Sequence, residues 1–400
     1  MNVFVIPSWY PTNSNPITGI FFKEQASAMA ATINDINIGI STWGQNDERL
    51  LLWAGKPFSS ALKLTNKPGP LQTKLDKNIV DYMTPAYTWS SKLLDGNLDK
   101  IIDANRSNFE QFSSEYSKPE IIHAHVGFPA GFIARQLSKI YKVPYIITEH
   151  MSPFPHQQFL SKAGALDERM KMAYHDASFN LCVSQSLRRK MTSFGIKKTC
   201  VVPNLVDEDF FVPSDQSTST EAFTFFSLGR MVPQKGIDSL LVAFSHINKK
   251  ARLRIGGDGE HIEKYKMLAS RLGIADRVNW LGLLGKSAIL TEFQNCDAFV
   301  LPSRHESMGV VFAEAMACGK PVIATICGGP EEFIDDSCGY LVEIDKEDQL
   351  NDAMNSMIDN HHNFDGKKIR EHFKSKFSKA VVCEMIHEKY LTAINSYDKQ

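Results

Sequence analysis

Residues 302–322 read Pro302-Ser303-Arg304-His305-Glu306-Ser307-Met308-Gly309-Val310-Val311-Phe312-Ala313-Glu314-Ala315-Met316-Ala317-Cys318-Gly319-Lys320-Pro321-Val322, directly after Asp297-Ala298-Phe299-Val300-Leu301. The preceding run is short and apolar, as a buried parallel strand requires. Polar residues and Gly309 then separate it from a helix-forming run, residues 310–317, which Gly319 and Pro321 stop before a second strand at residues 322–325. The pattern is a βαβ unit with a sharp loop at the carboxyl end of its first strand.

In such a unit the amides at the helix start, around Ser307, Met308, Gly309 and Val310, lack intrahelical acceptors and favour an anion, most economically a phosphate. Glu306 stands just before them and Glu314 just beyond the first helical turn. A carboxylate repels a phosphate, so each suits a hydroxyl better. At a rise of ~1.5 Å per residue, Glu314 lies several ångströms along, roughly the offset of a ribose from a phosphate. A glutamate near a helix amino end is also favoured by the helix dipole alone.

The whole segment resembles the signature region of the family 4 retaining glycosyltransferases of the GT-B fold. The resemblance rests on Glu306 and Glu314 with seven residues between them, then Ala-Cys-Gly-Lys-Pro-Val-Ile-Ala-Thr and Gly328-Gly329-Pro330-Glu331. It implies an α/β fold of two Rossmann-like domains facing a central cleft, with the C-terminal helix crossing back to the first domain. The domains expected are an acceptor-binding one over residues 1–205, with 379–400 packed on it, and a donor-binding one over 206–378.

Length and composition agree with such a plan. Four hundred residues exceed one ordinary core, and 43% apolar with 22% charged residues is ordinary for a globular protein. No apolar run is long enough for a membrane span. The start, Met1-Asn2-Val3-Phe4-Val5-Ile6-Pro7, has no basic flank and reads as a first strand rather than a signal peptide. Seven scattered cysteines without a CxxC pair point to a reduced, cytoplasmic protein with no structural zinc. Residues 1–200 carry 22 Lys+Arg against 16 Asp+Glu, and the remainder 22 against 29. That asymmetry suits an anionic acceptor, or a peripheral contact with the cytoplasmic membrane face, at the front half.

Along the chain, strands are expected at residues 3–6, 36–40, 119–125, 145–150, 179–184 and 199–203, and helices at 21–31 and 129–141. Residues 98–116 carry a helical core stripe. The loop after the first strand, with the single Gly19, is not GxGxxG, which speaks against a nicotinamide cofactor; no cofactor is expected at all. Residues 43–89, with lysines among Trp53, Phe58 and Tyr82, suit acceptor or membrane-surface elements or an ordinary insertion. His123 and His125 share a strand face and could point together into the crevice, but no third ligand is near and no metal is expected. The cluster Arg188-Arg189-Lys190 reads as a solvated face or a phospholipid contact. Residues 202–207 and the polar run 213–220 read as the hinge.

The second half restarts at residues 223–228 and continues Gly229-Arg230-Met231-Val232-Pro233-Gln234-Lys235-Gly236. A strand, a glycine and two cations before a helix suit a diphosphate, gripped by Arg and helped by a Lys point charge. The same residues match the family's Gly-Arg…Lys-Gly motif. The turn Gly256-Gly257-Asp258-Gly259 reads first as packing, with Gly257 near the nucleotide.

By resemblance, His150 is placed against the donor sugar and His125 on the acceptor side. Gly19 approaches the donor phosphates, and the backbone around Leu283 reads the base. The implied function is metal-independent, retaining hexosyl transfer from a nucleotide-diphosphate sugar to a glycan or lipid-linked acceptor in cell-surface polysaccharide biosynthesis. UDP-sugar is the first candidate and GDP-sugar the second; nucleic acid is not a partner. The departing diphosphate would be stabilised by Arg230, Lys235 and the amides near Met308 and Gly309. The rival readings are a nucleotide-sugar epimerase of the UDP-N-acetylglucosamine 2-epimerase type and a non-catalytic nucleotide-sugar binding protein.

Overall fold

A computed structural model describes residues 1–12, 18–53, 55–90, 94–214 and 222–399. The expected hinge run 213–220 therefore lies outside the described residues from 215 onward. The chain divides into two compact units, the first comprising Met1–Val183, Arg188–Val202 and the chain from Val382 onward, the second Ser184–Leu187 and Pro203–Val381.

The first unit is built on eight strands: β1 (Asn2–Pro7), β2 (Asn37–Thr42), β3 (Leu71–Asp76), β4 (Ile79–Met83), β5 (Ile121–His125), β6 (Tyr145–Glu149), β7 (Phe179–Cys182) and β8 (Thr199–Val201). Their order is β3-β4-β2-β1-β5-β6-β7-β8, parallel except for β3 against β4. Its helices are α1 (Ile20–Thr32), α2 (Pro57–Thr65), α3 (Leu98–Tyr116), α4 (Phe132–Tyr141), α5 (Glu168–Asp176) and most of α6 (Gln185–Ser193). Strand β1 is covered on both faces, which is why Val3, Phe4, Val5 and Ile6 run apolar without alternation and are all buried. Phe4 meets Phe109 of α3 edge-on at 5.1 Å. At Gly39 a Cβ would stand 2.5 Å from the Phe112 ring, so the bare backbone lets α3 lie down on β2.

The helix expected from residue 129 starts at Phe132, because Gly127–Gly131 forms a separate wide turn in which Phe128 is extended. The stretch 43–89 resolves into α2 and the hairpin β3–β4. No helix among the described residues is long and apolar enough to cross a membrane.

The second unit holds β9 (Phe223–Leu228), β10 (Ala251–Gly256), β11 (Val278–Gly282), β12 (Ala298–Leu301), β13 (Val322–Thr325) and β14 (Gly339–Val342). They form an all-parallel sheet in the order β11-β10-β9-β12-β13-β14. Its helices are α7 (Ile237–Ser245), α8 (Ile262–Arg271), α9 (Lys286–Asn295), α10 (Val310–Ala317), α11 (Glu347–Asn360) and α12 (Gly366–Phe377). The buried aromatics Phe226, Phe293 and Phe299 stack edge-on beneath the sheet centre. The last helix, α13 (Lys379–Tyr397), belongs from Val382 to the first unit. Its buried Tyr390 hydroxyl lies 2.7 Å from His123 Nδ1 on β5.

Candidate active site

Both sheets wind outward from a central strand and then restart on its other side: β9 is flanked by β10 and β12, and β1 by β2 and β5. Connections on either side of such a point leave in opposite directions and open a crevice at the carboxyl ends of those strands. The motifs singled out in the sequence follow β9 and β12 in one unit, and β1, β5 and β6 in the other.

In the second unit, Gly236 caps α7 with φ +65, and a Cβ there would stand 2.0 Å from the Pro302 carbonyl oxygen. Only glycine accepts both the conformation and the approach, so the β9 and β12 loops close on each other. Arg304 N donates to Gln234 O at 2.7 Å, and Gln234 Nε2 to His305 O at 2.9 Å. The consequence is an ion pair between residues 71 apart: Lys235 Nζ lies 2.6 Å from Glu306 Oε1. Ser303 Oγ donates to the same oxygen at 2.7 Å, and the Thr325 hydroxyl donates to Ser303 O. Glu306 thus holds the lysine through one oxygen.

Beside this pair α10 begins at Gly309, φ +82, with no side-chain cap on its first-turn amides. Ser307 and the buried Met308 precede it, Val310 opens it, and Glu314 lies half-buried within it. Arg230 is exposed, and among the described residues no ion pair is recorded for it. Arg304 turns away onto Asp238 and Asp345, which raises its pKa and fixes the loop. Gly257, φ +123, would place a Cβ 1.9 Å from Gly229 O, so the β10 turn packs against the start of the cationic loop. Leu283, just past β11, is 69% exposed.

In the first unit Gly19, φ +74, caps α1 against the Trp9 carbonyl. His125 Nδ1 and His150 Nε2 are 3.2 Å apart, with Phe22 4.5 Å from the His125 ring and Phe21 4.9 Å from the His150 ring. Burial pushes His125 well below its ordinary pKa, with His123 and His150 adding repulsion. His123 shares the face and is as fully buried as His125: it lies between Tyr390 and Thr148, the latter 2.7 Å from Nε2, and burial takes its pKa down to about 3. The expectation that the two point together into the crevice is corrected: both are buried, His123 as a core histidine against Tyr390 and His125 against His150.

Sequence reasoning passed over Glu149. It is fully buried and accepts from Gly127 N at 3.0 Å, from His150 N and Met151 N at 2.8 Å each, and from the Tyr174 hydroxyl. Burial raises its pKa against the opposing pull of these donors. The only signal in the sequence was its position at a strand end directly before His150.

Also unforeseen is a cavity of about 550 Å³ at the ends of β2 and β4, lined by Tyr10, Thr42, Gln45, Thr73 and Asp81 among others. Burial pushes Asp81 up to about 6, opposed by a hydrogen bond from Thr42 and by the charge of Lys23. A carboxyl whose folded pKa exceeds its unfolded value adds stability at low pH that is lost as pH rises through about 6. Asp81→Asn is therefore expected to match the wild type in urea unfolding near pH 4 and to exceed it by about 2–3 kcal/mol at pH 8. An equal difference at both pH values would contradict this account.

Asp335, Cys338 and His372 form a group of three potential metal ligands. Asp335 already accepts from Ser337, and His372 Nε2 lies 2.8 Å from Phe333 O. Burial raises the Cys338 thiol to about 11. The group staples the turn after Phe333.

Two family models match in succession: "Glycosyltransferase Family 4" over residues 90–210 and "Glycosyl transferases group 1" over residues 211–379. An uncharacterized glycosyltransferase of Methanocaldococcus jannaschii is 28% identical over 247 residues, 60% of this chain and 66% of the relative. The alpha-monoglucosyldiacylglycerol synthase of Streptococcus pneumoniae is 27% identical over 308 residues, 70% of this chain and 68% of that protein. The chain thus spans about two thirds of the length of these relatives. Among solved structures, sucrose-phosphate synthase from Thermosynechococcus elongatus superposes with a TM-score of 0.73 at 19% identity, covering 99% of this chain and 100% of that one. With two parallel-sheet α/β units and contiguous matches from residue 90 to residue 379, the chain belongs to the family 4, group 1 glycosyltransferases of the GT-B fold.

Proposed function

We propose that the protein is a retaining glycosyltransferase that moves a sugar from a nucleotide-diphosphate donor, a UDP-sugar before a GDP-sugar, to a glycan or lipid-linked acceptor at the cytoplasmic face of a membrane. The observation that carries the reading is the Lys235–Glu306 pair at 2.6 Å beside the uncapped start of α10, at the switch point of a parallel sheet. An ammonium has three donors, and Glu306 takes one, which fixes the cation where the others can reach a phosphate.

Arg230, Lys235 and the amides of Met308 and Gly309 stabilise the charge that grows on the leaving diphosphate, the work a divalent ion does elsewhere. Glu306 has a second oxygen for a sugar hydroxyl. Glu314 takes the ribose, Leu283 flanks the base, and Gly257 keeps the turn beside Gly229 clear. His150, with His125 behind it, serves the transferred sugar and its acceptor. The Asp81 cavity is of a size for part of an acceptor. The name of the Streptococcus pneumoniae relative, a glucosyldiacylglycerol synthase, supports a lipid acceptor, and cell-surface polysaccharide biosynthesis is the setting that fits either acceptor.

Thermal unfolding with UDP, GDP and their sugars tests the donor assignment. A ligand at 100 times its Kd adds about 2.7 kcal/mol to the folded state, so UDP is expected to raise the Tm and to lose that effect in Arg230→Ala. Indifference to every nucleotide would sink the proposal. A new sugar epimer formed from donor alone would replace transfer by epimerisation.

A further inference from the structure

Helix α2 wears its polarity inside out. Ser60 and Lys63 turn toward the protein: Ser60 Oγ donates to Trp53 O and accepts from Trp53 N, each at 3.0 Å, while Lys63 Nζ donates to Leu51 O at 2.9 Å and to Glu48 O. The apolar residues turn outward. Phe58 and Leu62, four apart and hence on one face, are 91% and 65% exposed. Trp53, 59% exposed, shares with Leu62 the wall of a cavity of about 630 Å³ whose charged lining is Glu48, Arg49, Lys56 and Lys63, with Arg49 paired to Asp47. In water alone such a helix would be expected to present the opposite faces.

The surrounding charge says what covers this face. Residues 50–75 contain Lys56, Lys63, Lys67 and Lys74 and no acidic residue; Lys56, Lys67 and Lys74 are exposed. Aromatic and aliphatic groups flanked by the exposed Lys56, Lys67 and Lys74, against the single carboxylate of Glu48 in the cavity wall, complement a layer that is apolar inside and anionic at its surface. We propose that the first unit docks on an anionic lipid bilayer through α2, with Trp53, Phe58 and Leu62 entering the headgroup layer and Lys56 and Lys67 meeting lipid phosphates. This goes beyond the donor-site reading and is independent of it, since docking is measured with no nucleotide and no turnover.

The test is flotation of the full chain with vesicles of equal parts phosphatidylglycerol and phosphatidylcholine, beside vesicles of phosphatidylcholine alone. The wild type is expected to float with the anionic vesicles only. The pair Phe58→Ser with Leu62→Ser should lower the partition at least about tenfold, and Lys56→Gln or Lys67→Gln about fivefold each. All four positions are exposed or surface-facing, so the Tm should stay constant; Phe58→Ser alone provides a second variant should the pair unfold. A wild type that stays unbound, equal binding to both vesicle types, or a serine pair that floats undiminished overturns the proposal. A wild-type dimer that the serine pair converts to monomer, with no vesicle binding, assigns the face to a second copy of the chain and also overturns it.

Discussion

Lys235→Met is expected to lower kcat/KM for sugar transfer about 10²–10³-fold, the usual loss when one preorganised donor to a developing negative charge is removed. The methionine keeps the length that lies over Gly229 but leaves Glu306, whose side chain is 9% exposed, with Ser303 as its remaining partner. Removing one member of a buried pair costs more than the pair was worth, because the survivor stays desolvated. Some loss of Tm is therefore expected as well, and the two effects need separating. Lys235→Met combined with Glu306→Gln should recover the Tm while leaving turnover low. Recovery of turnover together with the Tm would make the pair a structural clasp and remove Lys235 from the reaction.

The second large effect is expected at Glu149. Glu149→Ala strips a buried acceptor from three backbone N–H groups and the Tyr174 hydroxyl, and each buried donor left unmade costs about 1–3 kcal/mol. With partial relaxation the loss in denaturant unfolding should reach about 3–5 kcal/mol. Glu149→Gln retains one acceptor oxygen and should lose less. Because burial raises the folded pKa, the contribution of Glu149 is largest below the ordinary carboxylate range and declines as pH rises, so the gap between wild type and Gln variant should narrow toward alkaline pH. The same donors set the backbone of His150, so the Gln variant should also lose transfer activity at temperatures where it is fully folded. A Gln variant with unchanged turnover would show that His150 does not need this support.

Much of the fold was readable because it is local. Continuous apolar runs such as residues 298–301 mark strands covered on both faces, and Gly309 and Gly319 punctuate the helix between β12 and β13 as written. The wide turn at Gly127–Gly131 escaped because its glycines and proline fit a helix start equally well. Residues 43–89 escaped because no periodicity in them marks which side chains turn inward: the loop carbonyls of Glu48, Leu51 and Trp53 recruit Lys63 and Ser60 toward the protein.

By itself the sequence determined the class of fold, two βα-alternating halves, which follows from periodicity, and its short motifs carried the resemblance to the family that the matching family models bear out. Only the tertiary structure decided that Lys235 belongs to Glu306, that His123 is sealed against Tyr390 while His125 meets His150, and that Glu149 is the acceptor for the turn at Gly127. Those partners are 71, 267, 25 and 22 residues apart. The physical reason is strand order: which loops meet is set by where the winding of each sheet reverses, and which side chains ionise is set by the burial that follows.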